Sequence, residues 1–211
     1  ASGNPAAVAV GTATHVLTSN GAGAAPTFQA ASGGAWTLIG TSVASNSASL
    51  TVTGLPTDGT YDYYAIGISD LVPATDAVQI YFRLGDSSGI DSSASDYDWQ
   101  ITGGNSNASS AVAMGDTASS FLPLTNSDSA SCGSSTGESS GAMLFLTTPG
   151  DTGKYPHVHG SLHYNGNNLY SHAAHMAGSR LANIAVDRCQ VIMSSGLVES
   201  GRLTVWGISH A

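Results

Sequence analysis

Residues 77–84 have the sequence AVQIYFRL, and this stretch decides the fold class. Apolar and polar side chains alternate along it with a period of two. The apolar set is Val78, Ile80, Phe82 and Leu84, and the intervening set is Gln79, Tyr81 and Arg83. Because successive side chains of a β-strand point to opposite faces of a sheet, this pattern predicts a strand with one face against a core.

The same alternation recurs on both sides of this stretch. It is found in ASLTVTG (48–54), YDYYAIGI (61–68), VDRCQVIM (186–193) and RLTVWGI (202–208), while AMLFL (142–146) is apolar on both faces. Turn-forming clusters such as LPTDGT and TPGDTGKYP separate these runs. We expect eight to ten strands. The one candidate helix is residues 165–180, and residues 102–140, rich in Ser, Gly and Asn, are expected to form large surface loops.

The composition also favours strands over helices. Charged residues make up 9% of the 211 residues, far below the usual quarter, and the chain has one lysine and two glutamates. Helices normally cover their wet faces with such long side chains, which lose little rotamer freedom there. We therefore predict an all-β fold: a jelly-roll-like antiparallel β-sandwich over residues 35–211.

Residues 1–34 differ from the rest of the chain. They are small, rich in Gly and Ala, and almost uncharged. Such a segment cannot build a core of its own. We expect an extended N-terminal arm that anchors the protein and becomes ordered against other chains.

The net charge of −9 and the apolar pattern exclude several classes of protein. The negative sign repels phosphate backbones, so no nucleic-acid partner is expected. No stretch approaches the ~20 apolar residues of a membrane span, and no basic-plus-apolar signal opens the chain. We therefore expect synthesis and assembly in a cytoplasm.

Two cysteines, Cys132 and Cys189, do not specify a disulfide by their spacing. No CxxC or Cys/His zinc pattern is present. Because Cys189 lies within an apolar strand pattern, we interpret it as a buried free thiol. No cofactor is expected.

Serine motifs occur, but they lack the context of a catalytic nucleophile. Residues 85–89, GDSSG, resemble the GDSGG motif of trypsin-like proteases, and residues 173–175 are AAH. That family places its histidine before its serine, the reverse of the order here. GxSxG occurs at 85–89, 133–137 and 137–141, but a nucleophile elbow needs a following helix, and none is predicted. We interpret these motifs as Ser/Asp turns and assign no catalytic residue.

His157, Val158 and His159 form a His-x-His pair, whose two imidazoles would share one face of a strand. Such a pair could meet one metal ion, and three pairs around a threefold axis would supply six nitrogens. We favour polar strand or interface histidines and assign no metal ligand. Further histidines follow at positions 163, 172 and 175, without a ligand spacing.

Two further patterns could carry binding. One loop holds Asp86, Asp91, Asp96 and Asp98, which could supply oxygen ligands to calcium; carboxylates that cap turns are the commoner use. The aromatic residues could build a surface for glycans, and we expect Trp36 and Trp206 to lie in the core or at a subunit interface. The aromatic set is Trp36, Trp99, Trp206, Tyr61, Tyr63, Tyr64, Tyr81, Tyr97, Tyr155, Tyr164 and Tyr170.

Three stretches resemble proteins of tailed bacteriophages. GTATHVLTSNGAGAAPTFQA (11–30) is similar to a GxxxxVLTSNGxGxxPxFQ segment of phage fibre and surface proteins. Residues 36–99, WTLIG to DYDW, resemble a domain of phage structural proteins, and GRLTVWGISHA (201–211) fits the end of that domain. The resemblance implies a β-sandwich, usually homotrimeric, on a capsid decoration, fibre or tail structure, and it carries no catalytic residues.

Three hypotheses of function follow. The first is a non-enzymatic virion surface protein, a capsid decoration or fibre-type subunit that contacts its own copies and other capsid or tail proteins. The alternative is a host-receptor module that binds surface glycan, with Tyr97 and Trp99 as its test residues. The third is a polysaccharide depolymerase, which would need paired carboxylates in a groove; the two glutamates and the aspartates give no convincing pair.

Overall fold

A computed structural model describes residues 11–30, 35–108, 110–125, 131–147 and 149–209. The chain divides into two compact units, residues 1–34 and 35–211. Parts of the predicted arm (1–10 and 31–34), of the predicted loop region (109 and 126–130) and of the closing stretch (210–211) lie outside the described residues. The described part contains no helix with the length and hydropathy of a membrane span.

Fifteen strands are found in the described residues. They are β1 His15–Thr18, β2 Thr27–Ala30, β3 Trp36–Val43, β4 Leu50–Thr53, β5 Tyr63–Pro73, β6 Ile80–Asp86, β7 Gly89–Ile90, β8 Tyr97–Asn105, β9 Val112–Ser119, β10 Leu122–Pro123, β11 Ser140–Thr147, β12 His157–Asn165, β13 Ser171–Arg180, β14 Arg188–Met193 and β15 Val198–Ile208.

The second unit is a sandwich of two antiparallel sheets. The large sheet has eight strands in the order β3-β15-β5-β11-β12-β13-β8-β9. The small sheet has five, in the order β10-β6-β14-β4 with β7 paired to β6. One apolar cluster draws side chains from both sheets, among them Phe82 and Val191 of the small sheet and Ile66 and Leu144 of the large one. The predicted all-β antiparallel sandwich is confirmed.

The alternation that predicted the strands also predicts their buried faces. In β6, Ile80, Phe82 and Leu84 are buried, while the residues between them are partly exposed. In β14, Cys189, Val191 and Met193 are buried in the same way. These positions lie on the face that the small sheet turns toward the core, as period-two burial requires.

Two local predictions are wrong. Residues 165–180 hold no helix, because β13 runs from Ser171 to Arg180 with strictly alternating burial from Ser171 to Ala177. Small apolar residues such as Ala173 and Ala177 lie on the solvent side of this strand. Because of them, hydropathy does not alternate along the sequence even though burial does. Residues 102–140 are not only loop, because β8 continues to Asn105 and β9 and β10 follow.

The described part of the first unit is a β-hairpin. Strands β1 and β2 pair antiparallel from His15 with Ala30 to Thr18 with Thr27. No residue of either strand is buried, and Val16 and Leu17 are 50% and 54% exposed. The described part of the segment predicted as an extended arm, residues 11–30, therefore folds back on itself, and its strands bury no side chain.

Candidate functional site

The GDSSG motif forms the tight turn between β6 and β7. The Asp86 carboxylate accepts the Ser88 hydroxyl at 2.6 Å and the Ser88 backbone N–H at 2.8 Å, and these bonds lower the pKa of Asp86. Gly89 has a φ of 138°, a conformation that only glycine adopts easily. The AAH segment lies on β13 in the other sheet, so the two halves of the protease-like pattern are parts of different sheets.

The two other GxSxG matches form the connection into β11. The Glu138 carboxylate accepts the Ser135 backbone N–H at 2.6 Å, and the Ser140 hydroxyl lies 2.8 Å from the Cys132 thiol. The motif serine of the match at 137–141 is Ser139, and it is followed directly by strand β11, whereas a nucleophile elbow is followed by a helix. Burial raises the pKa of Cys132 to about 11. The segment is therefore a turn that leads into a strand, not a nucleophile elbow.

Two carboxylates of the aspartate loop form ion pairs with one arginine, Arg180. Arg180 Nε lies 2.7 Å from the Asp91 carboxylate, and another Arg180 nitrogen lies 3.2 Å from Asp96. Asp98 accepts the backbone N–H of Ser179 at 3.1 Å. Because these carboxylates already have protein donors, the loop does not present the open oxygen cluster that calcium requires.

The histidines of the His-x-His pair are both exposed on β12. His157 Nδ1 lies 2.8 Å from the Ser179 hydroxyl, whereas the ring of His159 stacks on Phe145 at 5.8 Å between centroids. The two imidazoles therefore face different neighbours. Among the described residues, no group of three or more His, Cys, Asp or Glu side chains could hold a metal ion.

Sequence patterns missed one constellation on the large sheet. Ser179 of β13 lies between His157 of β12 and Asp98 of β8, which are its register partners on either side. The three border a depression of about 430 Å³ on the sheet surface. Only the sheet register brings them together, because they are far apart in the chain and belong to no motif.

This trio does not have the geometry of a catalytic triad. In a triad the carboxylate holds the second nitrogen of the imidazole, but Asp98 bonds the backbone of Ser179 instead. Backbone N–H groups of a central strand lie in the plane of the sheet and bond to neighbouring strands. They therefore do not point into the depression, where an oxyanion would need donors. The depression is suited to binding polar groups rather than to acyl transfer.

Aromatic side chains are exposed at a different place from the one predicted. Tyr97 is fully buried, and Trp99 packs against the core with its indole N–H buried and without a hydrogen-bond partner. Tyr97 is therefore not accessible to a glycan, whereas Trp99 is partly exposed and lines the depression described above. Trp36 is 45% exposed and is not a core residue; its ring lies 6.0 Å from Trp206 and 6.2 Å from Phe145.

No protein-family model, curated protein or solved structure matches the chain. Its function must therefore follow from the chemistry of its own surfaces. One face combines exposed aromatic rings with hydrogen-bonding side chains. It is the face of the large sheet that is turned away from the small sheet, and we call it the outer face.

One register row crosses the outer face from β3 to β8, and we call it the outer row. It consists of Leu38, Trp206, Ala65, Phe145, His159, Ala177 and Gln100. Six interstrand spacings of ~4.8 Å give it a length of roughly 29 Å. Large rings lie at the β3 end, and small and polar side chains lie at the β8 end.

Two flanking rows complete this part of the outer face. One contains Trp36, Ile208, Tyr63, Thr147, His157, Ser179 and Asp98. The other contains Thr204, Gly67, Met143, Ser161, His175, Thr102 and Ala113. With histidines neutral, Asp98 carries the single formal charge of these three described rows. On a chain of net charge −9, this is a nearly uncharged surface.

Two residues of the second unit have buried polar atoms without a hydrogen-bond partner in addition to Trp99. His172 is 3% exposed and stacks on Tyr164 at 4.4 Å between centroids, and both of its ring nitrogens are buried without a hydrogen-bond partner. Oε1 of Glu138 is buried and unpartnered as well. Burial lowers the pKa of His172, because the charged imidazolium loses its hydration. This site affects stability rather than ligand binding, since it is closed to solvent.

Proposed function

We propose that this chain is a non-enzymatic structural subunit on the surface of a bacteriophage particle, of the capsid-decoration or fibre type. It assembles in the host cytoplasm as a homotrimer and attaches to other capsid or tail proteins. Residues 1–34 make these attachments, and residues 35–211 form the exposed body.

The observation that carries this proposal is the uncovered hairpin of the first unit. An isolated two-stranded hairpin is at best marginally stable in water. Here Val16 and Leu17 are about half exposed, at 50% and 54%, and Phe28 is 36% exposed. The hairpin gains stability if these side chains are covered by neighbouring chains, and an attachment segment is covered in this way.

Two further observations support the proposal. The sandwich builds a complete core from its own residues, so the body does not need the hairpin to fold. The serine, histidine and aspartate motifs of the described residues are used in turns, ion pairs and sheet contacts. The resemblance of residues 11–30 to phage fibre and surface segments, which covers this hairpin, agrees with an attachment role.

The oligomeric state tests the attachment role directly. We expect light scattering of the purified full chain to give three times the 21.1 kDa mass of one chain. Leu17→Asp places a charge on the hairpin and should shift the protein toward monomer. The matched control is Leu169→Asp, because Leu169 is 73% exposed in the second unit and has a φ of 65°, which Asp tolerates.

Two results would overturn the proposal. One is a monomeric full chain over the concentration range of the experiment. The other is an absence of label on particles: antibodies raised against residues 35–211 should decorate intact phage particles in electron micrographs. Label confined to the lysate and missing from purified particles contradicts a virion role, whatever the oligomeric state.

A further inference from the structure

The aromatic end of the outer row is a fixed surface. Beside Trp206 and Phe145, strand β5 contributes Ala65 to the outer row and Gly67 to one flanking row, while its Tyr63 lies in the other flanking row next to Ile208. A Cβ on Gly67 would lie 2.8 Å from a ring carbon of Trp206, and Ala65 is fully buried although it points outward. Since the ring of Trp36 also contacts those of Trp206 and Phe145, the rings hold a defined orientation.

The other end of the outer row is polar and recessed. The depression of about 430 Å³ opens where β13 contributes only Ala177 and Ser179 to the surface. Hydrogen-bonding groups surround it on three strands: Asp98 and Gln100 of β8, Ser179 of β13, and His157 and His159 of β12. These side chains supply both donors and acceptors within a small area.

The two ends are joined by direct contact. His159 borders the depression and stacks on Phe145, and Phe145 contacts Trp36. A ligand that lies along the outer row therefore meets aromatic rings first and hydrogen-bonding groups next. The row's length of roughly 29 Å admits an extended chain of several units rather than a single small molecule.

The charge of the surface limits the ligand. The outer row and its two flanking rows contain no lysine or arginine, and Asp98 is their one carboxylate. An anionic ligand would find no counter-charge here and would be repelled by the net charge of −9. A ligand with apolar faces, many hydroxyls and no negative charge fits these conditions.

We infer that the outer face binds a neutral oligosaccharide lengthwise along the outer row. The C–H faces of its sugar rings pack on Trp36, Trp206 and Phe145, where the electron-rich ring faces attract them. Its hydroxyls exchange hydrogen bonds with the groups around the depression. This inference goes beyond the structural role proposed above, and neither depends on the other.

A second copy of the chain fits this surface less well. Such a contact would cover the aromatic rings, but it would also take Asp98, His157 and Gln100 out of water. Polar groups buried without partners cost free energy, and the many freely rotating hydroxyls of a sugar can pair with these groups more readily than the fixed side chains of a second copy can.

The test uses the full chain on an array of neutral gluco-, galacto-, manno- and N-acetylglucosamine oligosaccharides, short and long, with oligogalacturonates as the acidic arm. We expect binding to a neutral series that strengthens with chain length, and none to the acidic series. Trp36→Ala should weaken binding about tenfold, as loss of an aromatic anchor does. Gln100→Ala should also weaken it.

The control variant is Tyr170→Ala, which removes an aromatic side chain that is 37% exposed in the β12–β13 turn. It should bind like the original chain. The inference is overturned if no neutral oligosaccharide binds, if the acidic series binds better, or if Trp36→Ala and Tyr170→Ala behave alike. A loss of oligomer mass in Trp36→Ala would also overturn it, because the aromatic rings would then be a contact between copies.

Discussion

At the scale of single residues, Tyr97 joins the two sheets of the sandwich. It lies on β8 of the large sheet, and its hydroxyl accepts the backbone N–H of Leu84 in the small sheet at 2.9 Å. The same hydroxyl lies 3.0 Å from the Asp91 carbonyl oxygen. Burial raises the pKa of Tyr97, so the phenol stays protonated and can donate.

Tyr97→Phe tests this link. The variant leaves a buried N–H and a carbonyl without their partner, which should lower the free energy of unfolding by about 1–3 kcal/mol. Chemical denaturation of both proteins measures the difference. Tyr155→Phe is the control, because Tyr155 is 45% exposed and should be silent. Equal stability of the two variants would show that the Tyr97 hydroxyl adds nothing.

The two thiols should be inert in the folded protein. Cys132 and Cys189 are both free and fully buried, and burial raises their pKa values to about 11 and about 12. Because the thiolate is the reactive form, a disulfide reagent should modify neither native thiol, and both after unfolding in guanidinium. Rapid modification of the native protein, or fewer than two thiols after unfolding without reductant, would contradict this.

His172 should make the stability depend on pH. Its folded pKa is lowered by burial, whereas in the unfolded chain it is near 6.5. The unfolded state therefore binds more protons, and stability is lost as pH falls from about 6.5 toward the folded pKa. Denaturation curves between pH 8 and pH 5 should show this decline, and His172→Phe should reduce it. An unchanged slope in the variant would assign the pH dependence to other groups.

At the scale of elements, strands with bulky apolar residues could be predicted from the sequence. In β6 and β14, large apolar residues such as Ile, Phe, Leu, Val and Met occupy every second position, and they differ clearly in hydropathy from their neighbours. In β13 the buried set includes His172 and Ala174, and the exposed set includes Ala173 and Ala177. Hydropathy barely distinguishes these residues, so tertiary pairing with β12 and β8 decides that the segment is a strand.

The candidate surface could be predicted only in part. Exposed histidines on β12 follow from its alternation, and the sequence correctly placed His157 and His159 on one face. The outer row joins seven strands in an order that is not sequential, so it depends on register between distant segments. The register between distant strands cannot be derived from a single sequence. The sequence alone therefore does not show that Trp36, Phe145 and Gln100 lie on the same part of one face.

The loop between β7 and β8 has one central anchor. Arg180, at the end of β13, pairs with Asp91 and Asp96, and its guanidinium lies 5.8 Å from the centre of the Tyr97 ring. All three charged side chains are largely buried. The ion pairs therefore attach an otherwise Ser-rich loop to the large sheet.

Arg180→Met should destabilise the protein by about 2–3 kcal/mol. A fully buried pair costs roughly 3–5 kcal/mol when one partner is lost, and here both carboxylates keep some contact with solvent. Arg202→Met is the control, since Arg202 is exposed. Adding Asp91→Asn and Asp96→Asn to Arg180→Met should recover part of the loss, because the unbalanced charges are then removed. No recovery would mean that packing, not charge, is what Arg180 supplies.

At the scale of the whole molecule, the two units differ in how they obtain stability. The second unit buries large apolar side chains from both sheets, which is the main favourable term in folding. The first unit buries none in its strands. The second unit therefore has a core of its own, and the described hairpin of the first unit has no buried residue in its strands.

A chain of residues 35–211 should therefore fold alone, with the thermal midpoint of the full chain. The hairpin adds no buried side chain to its own strands, and the sandwich core contains no residue before position 39. Scanning calorimetry of both proteins measures the two midpoints. A midpoint lower by about 5 °C or more corresponds to at least ~1 kcal/mol lost, and would show that residues 1–34 stabilise the body. If the shorter chain has the same midpoint as the full chain but no longer forms the oligomer, then the sandwich alone determines folding stability and the first unit is needed for attachment.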